Sequence, residues 1–330
     1  MLNLNQKLSE IIFTDKMEMR PTRDGYGEGL LRLGGEDENV VVLTADLAES
    51  TRVEEFSKKY PERFFECGVA EQAMATVAAG LGISGKTPFI SSYATFSPGR
   101  NWEQIRTTIA YNDSNVKIAG HHAGLSTGPD GATHQATEDI AIMRAMPNMK
   151  VIVPCDAIEA KKATVAAAKI WGPVYLRFGR EKSPIITTEE TPFTIGKAEV
   201  FYEARGAKVL IVACGLMVYK ALEAARELQA EKFGVTGLNC HTIKPLDEKK
   251  IVDFAKKCGS VVVAEEHQIA GGLGGAVAEL LAKKCPVPME FVGLNDVFGE
   301  SGRPDELLKK YEMDTRDIKE AVKRVAARRK

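Results

Sequence analysis

The sequence predicts an α/β protein made of two open, mostly parallel α/β sheet domains, and three observations predict it. Short apolar runs alternate with amphipathic stretches along the chain, the pattern of strands joined by covering helices. The apolar runs, such as residues 209–214 and 261–264, are strand-sized and far short of the ~20 residues that span a bilayer. The length, 330 residues, accommodates about two domains at roughly 100–200 residues each.

Taken in order, residues 40–44 read as a buried strand ending at Ala45-Asp46, and residues 64–67 are strand-like. Residues 71–81, rich in Ala and Met, read as a helix, 88–92 as a strand and 101–111 as a helix. Residues 116–119 form a strand that runs into a polar, Gly-rich loop at 120–134. A helix near 138–145, a strand at 150–153, a helix at 157–170 and a strand at 174–178 complete the first unit. Residues 182–192 hold Pro, Thr and Glu without periodicity and read as linker. The second unit repeats the pattern, with strands at 209–213, 234–239, 260–264 and 289–292. Its helices lie at 217–231, 248–257 and 276–284, the last opened by a Gly-rich turn at 271–275. Residues 314–330 read as a basic amphipathic helix, most simply a solvated surface one. The boundaries drawn from this are a domain at 1–185, a linker at 186–195 and a second domain at 196–330.

Lys and Arg number 44 against 45 Asp and Glu, so no basic or acidic excess points to nucleic acid or a membrane surface as partner. The N-terminus has no apolar run of signal-peptide length, and the expected location is cytoplasmic. The six cysteines are scattered, without Cys-x-x-Cys, and read as free, mostly buried thiols. None of the five histidines shows zinc-ligand spacing with them.

The first unit holds the residues that carry chemistry. His121, His122 and His134 bracket the loop Gly120 to Gln135, which follows a strand and so lies at the carboxyl end of its sheet, where open α/β folds place ligands. Asp130 adds a carboxylate beside imidazoles able to donate or accept near neutral pH. Glu71 opens an Ala-rich helix. An early helical Glu complements the helix dipole, yet these small apolar flanks also allow a desolvated carboxylate with a raised pKa. Tyr93 and Phe96 stand at a strand end, as core residues or as a stacking face for a flat heterocycle. The glycine run 271–275 lacks Gly-x-Gly-x-x-Gly spacing and reads as a structural turn.

The segments Gly-Val-Ala-Glu-Gln-Ala-Met (68–74), Tyr-Ala-Thr-Phe (93–96) and Gly-Pro-Asp-Gly-Ala-Thr-His-Gln (128–135), in this order and spacing, resemble thiamine-diphosphate enzymes of the transketolase group. The likeness continues through Phe-Gly-Arg180 and the second unit. More narrowly, the chain resembles the C-terminal subunit of a split transketolase, holding the pyrimidine-binding and C-terminal domains. Its 330 residues contain no Gly-Asp-Gly segment of the kind that binds the diphosphate and its metal in that family. The resemblance therefore implies an N-terminal partner subunit, in an α2β2 assembly, that supplies the ligands of Mg2+ or another divalent cation. His122 stands eight residues before Asp130, as in transketolases. Deoxyxylulose-phosphate synthases have a shorter loop, and 2-oxo acid dehydrogenase β-subunits lack the segment. Glu265-Glu-His-Gln with the following glycines is more like those two pyruvate-using groups. They are the alternatives, together with a non-catalytic scaffold.

By resemblance, Glu71 hydrogen-bonds a ring nitrogen of the cofactor aminopyrimidine, Phe96 stacks on that ring with Tyr93 as a wall, and Asp46 contacts cofactor at the subunit junction. Some transketolases carry a second aromatic where this chain has Gly99. His134 lies near the donor's terminal hydroxyl and Asp130 reads the adjacent one. Arg23, Ser50, His122 and Arg180 bind the sugar phosphate. The implied activity is transfer of a two-carbon ketol unit between sugar phosphates in the pentose phosphate pathway.

Overall fold

The structure is a computed structural model and describes residues 1–329. Its first half contains β1 (Met19–Arg20), α1 (Thr22–Glu36), β2 (Val40–Thr44), α2 (Glu54–Lys59), β3 (Phe64–Glu66), α3 (Glu71–Ile83) and β4 (Thr87–Tyr93). There follow α4 (Trp102–Gln104), β5 (Lys117–His121), α5 (Asp139–Arg144), β6 (Lys150–Ile152), α6 (Ala157–Ala168), β7 (Val174–Arg177) and β8 (Ser183–Pro184). The second half contains β9 (Glu199–Glu203), β10 (Val209–Ala213), α7 (Met217–Ala230), β11 (Val235–Asn239), β12 (Thr242–Lys244) and α8 (Glu248–Cys258). It ends with β13 (Val261–Gln268), α9 (Leu273–Lys284), β14 (Met289–Leu294), α10 (Pro304–Lys310) and α11 (Thr315–Ala327).

The strands form two parallel-rich sheets, as the alternation of apolar runs predicts. The first has the order β12-β6-β7-β5-β4-β2-β3, parallel except for β12 at one edge. The second has the order β14-β13-β10-β11-β9, parallel except for β9. The interior strands β2 and β10 are buried at every residue, which is why both read as continuous apolar runs. The β1–β8 pair and the Asp156 carboxylate, which accepts the Ile186 and Thr187 N–H groups at 2.8 and 2.6 Å, pin the connecting segment against the first domain.

Elements α2, β9, β12 and α10 were not read from sequence, and three others depart from expectation in ways that have a physical reason. Helix α1 lies where no helix was read from sequence, because five of its fifteen residues are glycine. Gly25 and Gly29 serve close packing on α6: a Cβ on Gly25 would lie 1.8 Å from the Ala157 carbonyl oxygen. The expected helix 101–111 exists only as the short α4, followed by a π-helical turn at Ile105–Ala110, a geometry often met at functional sites. The C-terminal helix is not merely a solvated surface element. Asp314 and Asp317 close a capping box at the start of α11, and Ile318, Ala321, Val322 and Val325 bury one face. No helix among the described residues is long and apolar enough to cross a membrane.

Candidate active site

Strand order locates the site. From β2 the chain winds to one side, into β3, then returns to the other side, into β4. Open α/β sheets bind ligands beyond the carboxyl ends of the strands at such a reversal. Asp46 lies just past the end of β2, Tyr93 ends β4, and His121-His122 stand at the end of the neighbouring β5.

Tyr93 is the hub of the site. Its ring stacks on His122 at 3.9 Å between centroids and on Phe96 at 5.8 Å. His134 stands edge-on to both rings, 6.1 Å from Tyr93 and 5.5 Å from Phe96. The Gly-rich loop thus folds back on itself through a 3-10 segment at Leu125–Asp130, braced by the Thr127 hydroxyl, which donates to the His122 carbonyl at 2.6 Å. Burial, and next the guanidinium of Arg23 and that of Arg180, press the His122 pKa down to about 3. The imidazole is therefore neutral at physiological pH, a form that can still donate from one ring nitrogen and accept at the other. His121 leaves the group altogether. His122 lies just past the end of β5 with φ of 53°, and its ring turns away from that of His121, which is buried against Tyr26 and Phe178, with centroids 4.9 and 5.1 Å away.

Glu71 is the first residue of α3 and only 1% exposed. Arg100 Nη1 donates to its Oε2 at 2.7 Å, and the same guanidinium lies over the Phe96 ring at 4.6 Å. Asn101 Nδ2 donates to the Glu71 carbonyl at 3.1 Å. The apolar flanks gave the desolvation of this carboxylate but not its cation. Arg100 escaped the sequence reading; the one signal available was its place four residues beyond Phe96. A Cβ on Gly99 would sit 2.0 Å from the Thr95 carbonyl oxygen, so this backbone leaves no room for the aromatic found there in some transketolases.

The charged end of the site comes from three further segments. Arg23, in the first turn of α1, donates through Nη1 to the Ser50 carbonyl at 2.9 Å, while its buried Nε has no partner. Burial, then the neighbouring Arg52, lower its pKa. Arg180, just after β7, donates to the Thr127 carbonyl at 3.1 Å, pairs with Glu181 at 2.9 Å and approaches Asp130 at 3.9 Å. Asp46 stands on the rim. It is exposed, with φ of 60°, and its N–H donates to Glu66 Oε1 at 2.7 Å. The structure therefore gathers Tyr93, Phe96, His122 and His134 in one cluster, joins Glu71 to it through Arg100, and sets Arg23, Ser50, Asp130 and Arg180 along its charged edge. A buried carboxylate beside an aromatic face suits a flat heterocycle with a ring nitrogen. Two guanidiniums beside a neutral imidazole and a carboxylate suit a hydroxylated anion.

Comparison with known proteins finds relatives for both halves of the chain. Residues 18–185 match the family described as transketolase, pyrimidine binding domain, and residues 196–318 match transketolase, C-terminal domain. A transketolase C-terminal section from Methanocaldococcus jannaschii is 47% identical over 306 residues, covering 91% of this chain and 94% of that protein. A 6-deoxy-6-sulfo-D-fructose transketolase subunit from a Clostridium species is 40% identical, covering 96% and 98%. A solved structure described as a split-gene transketolase, inactive β4 tetramer, superposes with a TM-score of 0.88 at 46% identity, covering 94% of this chain and 99% of that one. The chain belongs to the transketolase family and carries that family's pyrimidine-binding and C-terminal domains.

Proposed function

We propose that this chain is the C-terminal subunit of a two-chain transketolase. With an N-terminal partner it transfers a two-carbon ketol unit from a ketose phosphate to an aldose phosphate, in the cytoplasm and within the pentose phosphate pathway. The observation that carries the reading is one sheet end that joins a buried carboxylate–aromatic pocket to an arginine-flanked polar loop. The two-chain reading draws on relatives that align over 94% and 98% of their own lengths and are named as a section and a subunit.

Thiamine diphosphate suits the first part of this arrangement. Glu71 offers a carboxylate to a ring nitrogen, and Phe96 and Tyr93 offer the aromatic face. The buried Ser92 and Thr95 hydroxyls and Asn101 Oδ1, all without partners, lie in the same segment. Among the described residues no group of three or more His, Cys, Asp or Glu is placed to hold a metal. We assign the ligands of Mg2+ or another divalent cation, and the diphosphate cradle, to the partner. Once bound, the cofactor supplies the nucleophilic carbon and electron sink of ketol transfer.

This chain's own residues do the rest. Glu71 holds and exchanges a proton at the ring nitrogen. Arg100 must first release that carboxylate, and its 45% exposed side chain has solvent to turn into. His134 faces the donor's terminal hydroxyl, and Asp130 selects the configuration of the next one. His122, being neutral, hydrogen-bonds without adding charge, so the phosphate is gripped by Arg23 and Arg180, with Ser50 beside them. Asp46, on the rim, reaches the cofactor at the junction with the partner. Exposed Val69, just before α3, and exposed Val77 and Ile83 on it offer that partner apolar surface around the helix that Glu71 opens. Two copies of each subunit would pair the sites symmetrically. The domain limits we assign are 1–185 and 196–330, with 186–195 between them.

The test is reconstitution. The chain, its partner, thiamine diphosphate and magnesium are mixed and offered xylulose 5-phosphate, 6-deoxy-6-sulfofructose or pyruvate as donor, with an aldose phosphate acceptor. Transfer from a ketose phosphate supports the proposal. Turnover of pyruvate alone assigns the chain to the pyruvate-using groups, transfer from the sulfonate alone changes the donor class, and no turnover with any donor supports a scaffold.

A further inference from the structure

Two parts of the second domain rest on the loop that carries His122, Asp130 and His134. The first is the tip of β13, where the buried Glu266 carboxylate accepts the backbone N–H of Ser126. A Cβ on Gly124, whose φ is 93°, would lie 2.5 Å from the Glu266 carboxyl carbon, so loop backbone and carboxylate are in direct contact. Arg177 locks this tip in place. Its Nη2 donates to the Glu266 carbonyl at 2.9 Å while its Nε donates to Asp139 at 2.8 Å. The second part is the segment before α10: Gln135 Nε2 donates to the Glu300 carbonyl at 2.9 Å and to the Leu125 and Gly128 carbonyls at 3.1 and 3.2 Å.

The topology gives this contact its meaning. The second sheet also reverses its winding, between β10 and β13, so its own ligand crevice should lie beyond those strand ends. That place is taken by the first domain. Gly215, Leu216 and Glu266 line a narrow interdomain cavity of about 30 Å³ together with Ser126, Arg177 and Gly179. Ser126 is buried, and a buried backbone N–H needs an acceptor. Burial pushes the Glu266 carboxyl up, and Arg177 and the Ser126 N–H oppose that rise.

We propose that Glu266 is a positioning residue for the substrate loop: by accepting the Ser126 N–H it fixes the 3-10 segment that holds His122 on Tyr93 and Asp130 near Arg180. The second domain thereby sets the geometry of a site to which it contributes no reacting group. The substrate half of this statement rests on the proposed function, because it takes the loop to bind a sugar phosphate.

Amide hydrogen exchange on the purified chain tests the positioning without any assay of activity. Glu266→Ala should accelerate exchange in residues 124–131 at least about 10-fold, the factor a lost hydrogen bond to a charged acceptor brings. Exchange in β10 should stay at the wild-type rate. Glu266→Gln, which keeps an acceptor oxygen, should restore protection of the loop. In the reconstituted complex, Glu266→Ala should raise the KM for a phosphorylated donor more than it lowers kcat. Unchanged exchange at 124–131 overturns the proposal, as does equal acceleration in β10, which would make Glu266 a residue of general stability. An accelerated loop with an unchanged KM overturns its substrate half. If Glu266→Ala does not fold, Glu266→Asp keeps the charge, withdraws it by one methylene and is read the same way. A wild-type complex that transfers no ketol unit overturns the functional reading instead, and the exchange result still decides the role of Glu266.

Discussion

Both sheets reverse their winding, one between β2 and β4 and the other between β10 and β13, and the two crevices that result are treated in opposite ways. At the first, Asp46 is exposed, Tyr93 is half-buried, and several buried polar atoms have no partner: Ser92 Oγ, Thr95 Oγ1, His122 Nδ1 and Arg23 Nε. At the second, the buried charged side chains are bonded. Glu265 accepts the Leu273 and Gly274 N–H groups at the start of α9, Glu266 accepts Ser126, and Arg177 pairs with Asp139. An unpaired buried polar atom costs about 1–3 kcal/mol, so a native structure keeps few of them. They are more numerous at the first crevice than at the junction, where Gln135 Oε1, Asn239 Oδ1 and His241 Nε2 also lack partners, and they mark where a ligand's hydrogen bonds belong. The same topology thus yields a binding site where polar groups, charged ones included, are left open, and a domain junction where the buried charges are paired.

The largest effect we expect comes from breaking the paired crevice. Arg177 and Asp139 are 6% and 1% exposed, and Tyr175 also donates to Asp139, at 2.7 Å. Arg177→Ala leaves a buried carboxylate without its cation, which costs about 3–5 kcal/mol. Urea unfolding measures it, and a loss under 1 kcal/mol would show that water replaces the guanidinium there. A slightly smaller effect, and a pH-dependent one, belongs to Glu159 on α6, which accepts Asn239 Nδ2 across the same junction at 2.7 Å. Burial first, then Asp156, push its pKa from 4.5 up to about 7. Between those values the folded chain keeps a proton that the unfolded chain has released, so stability falls as pH rises from 4.5 toward 7. The loss attributable to Glu159 is on the order of 3 kcal/mol. Glu159→Gln should remove that slope from unfolding curves taken across pH 5 to 7.5, conditions on either side of about pH 7. An unaltered slope would place the titration elsewhere.

At the open crevice, Glu71→Gln keeps the shape of the side chain and removes its ability to exchange a proton. We expect kcat of the reconstituted enzyme to fall about 100-fold at saturating cofactor, the low end for a lost acid–base group. A near-normal rate would sink the assignment of Glu71.

How much of this was legible follows the range of the forces involved. The buried strands and the motif segments are local patterns, and 40–44 and 209–213 stand as read. Helix α1 was hidden because glycine opposes helix formation by about 1 kcal/mol per residue, while the packing on α6 that requires glycine comes from 132 positions away in sequence, at the close approach of Gly25 to Ala157. The edge strand β12 belongs to the second half of the chain yet pairs with β6 of the first, and no local pattern encodes such a partner. The Glu71–Arg100 pair is non-local in the same way, its members standing 29 positions apart. The separation of His121 from His122 turns on the φ of 53° at His122, just past the end of β5, which no local pattern announces. Their lowered pKa values were out of reach too, because burial and the guanidiniums that lower His122 come from distant segments.

The smallest effect should be the most selective. Arg180 is 29% exposed, and its bond to the Thr127 carbonyl orients it along the substrate loop without burying its charge. If it grips the donor phosphate, Arg180→Ala removes a charge-assisted contact made equally to bound substrate and transition state. Such a loss raises KM and spares kcat. Arg23 remains beside the site, so the expected rise in KM is about 10-fold, near 1.4 kcal/mol and at the low end for a hydrogen bond to a charged group. A donor without phosphate should show no change, because it never uses the contact. A severe fall in kcat with KM unmoved would instead place Arg180 among the groups that act on the reacting carbons, and phosphate binding would then have to rest on Arg23 and His122.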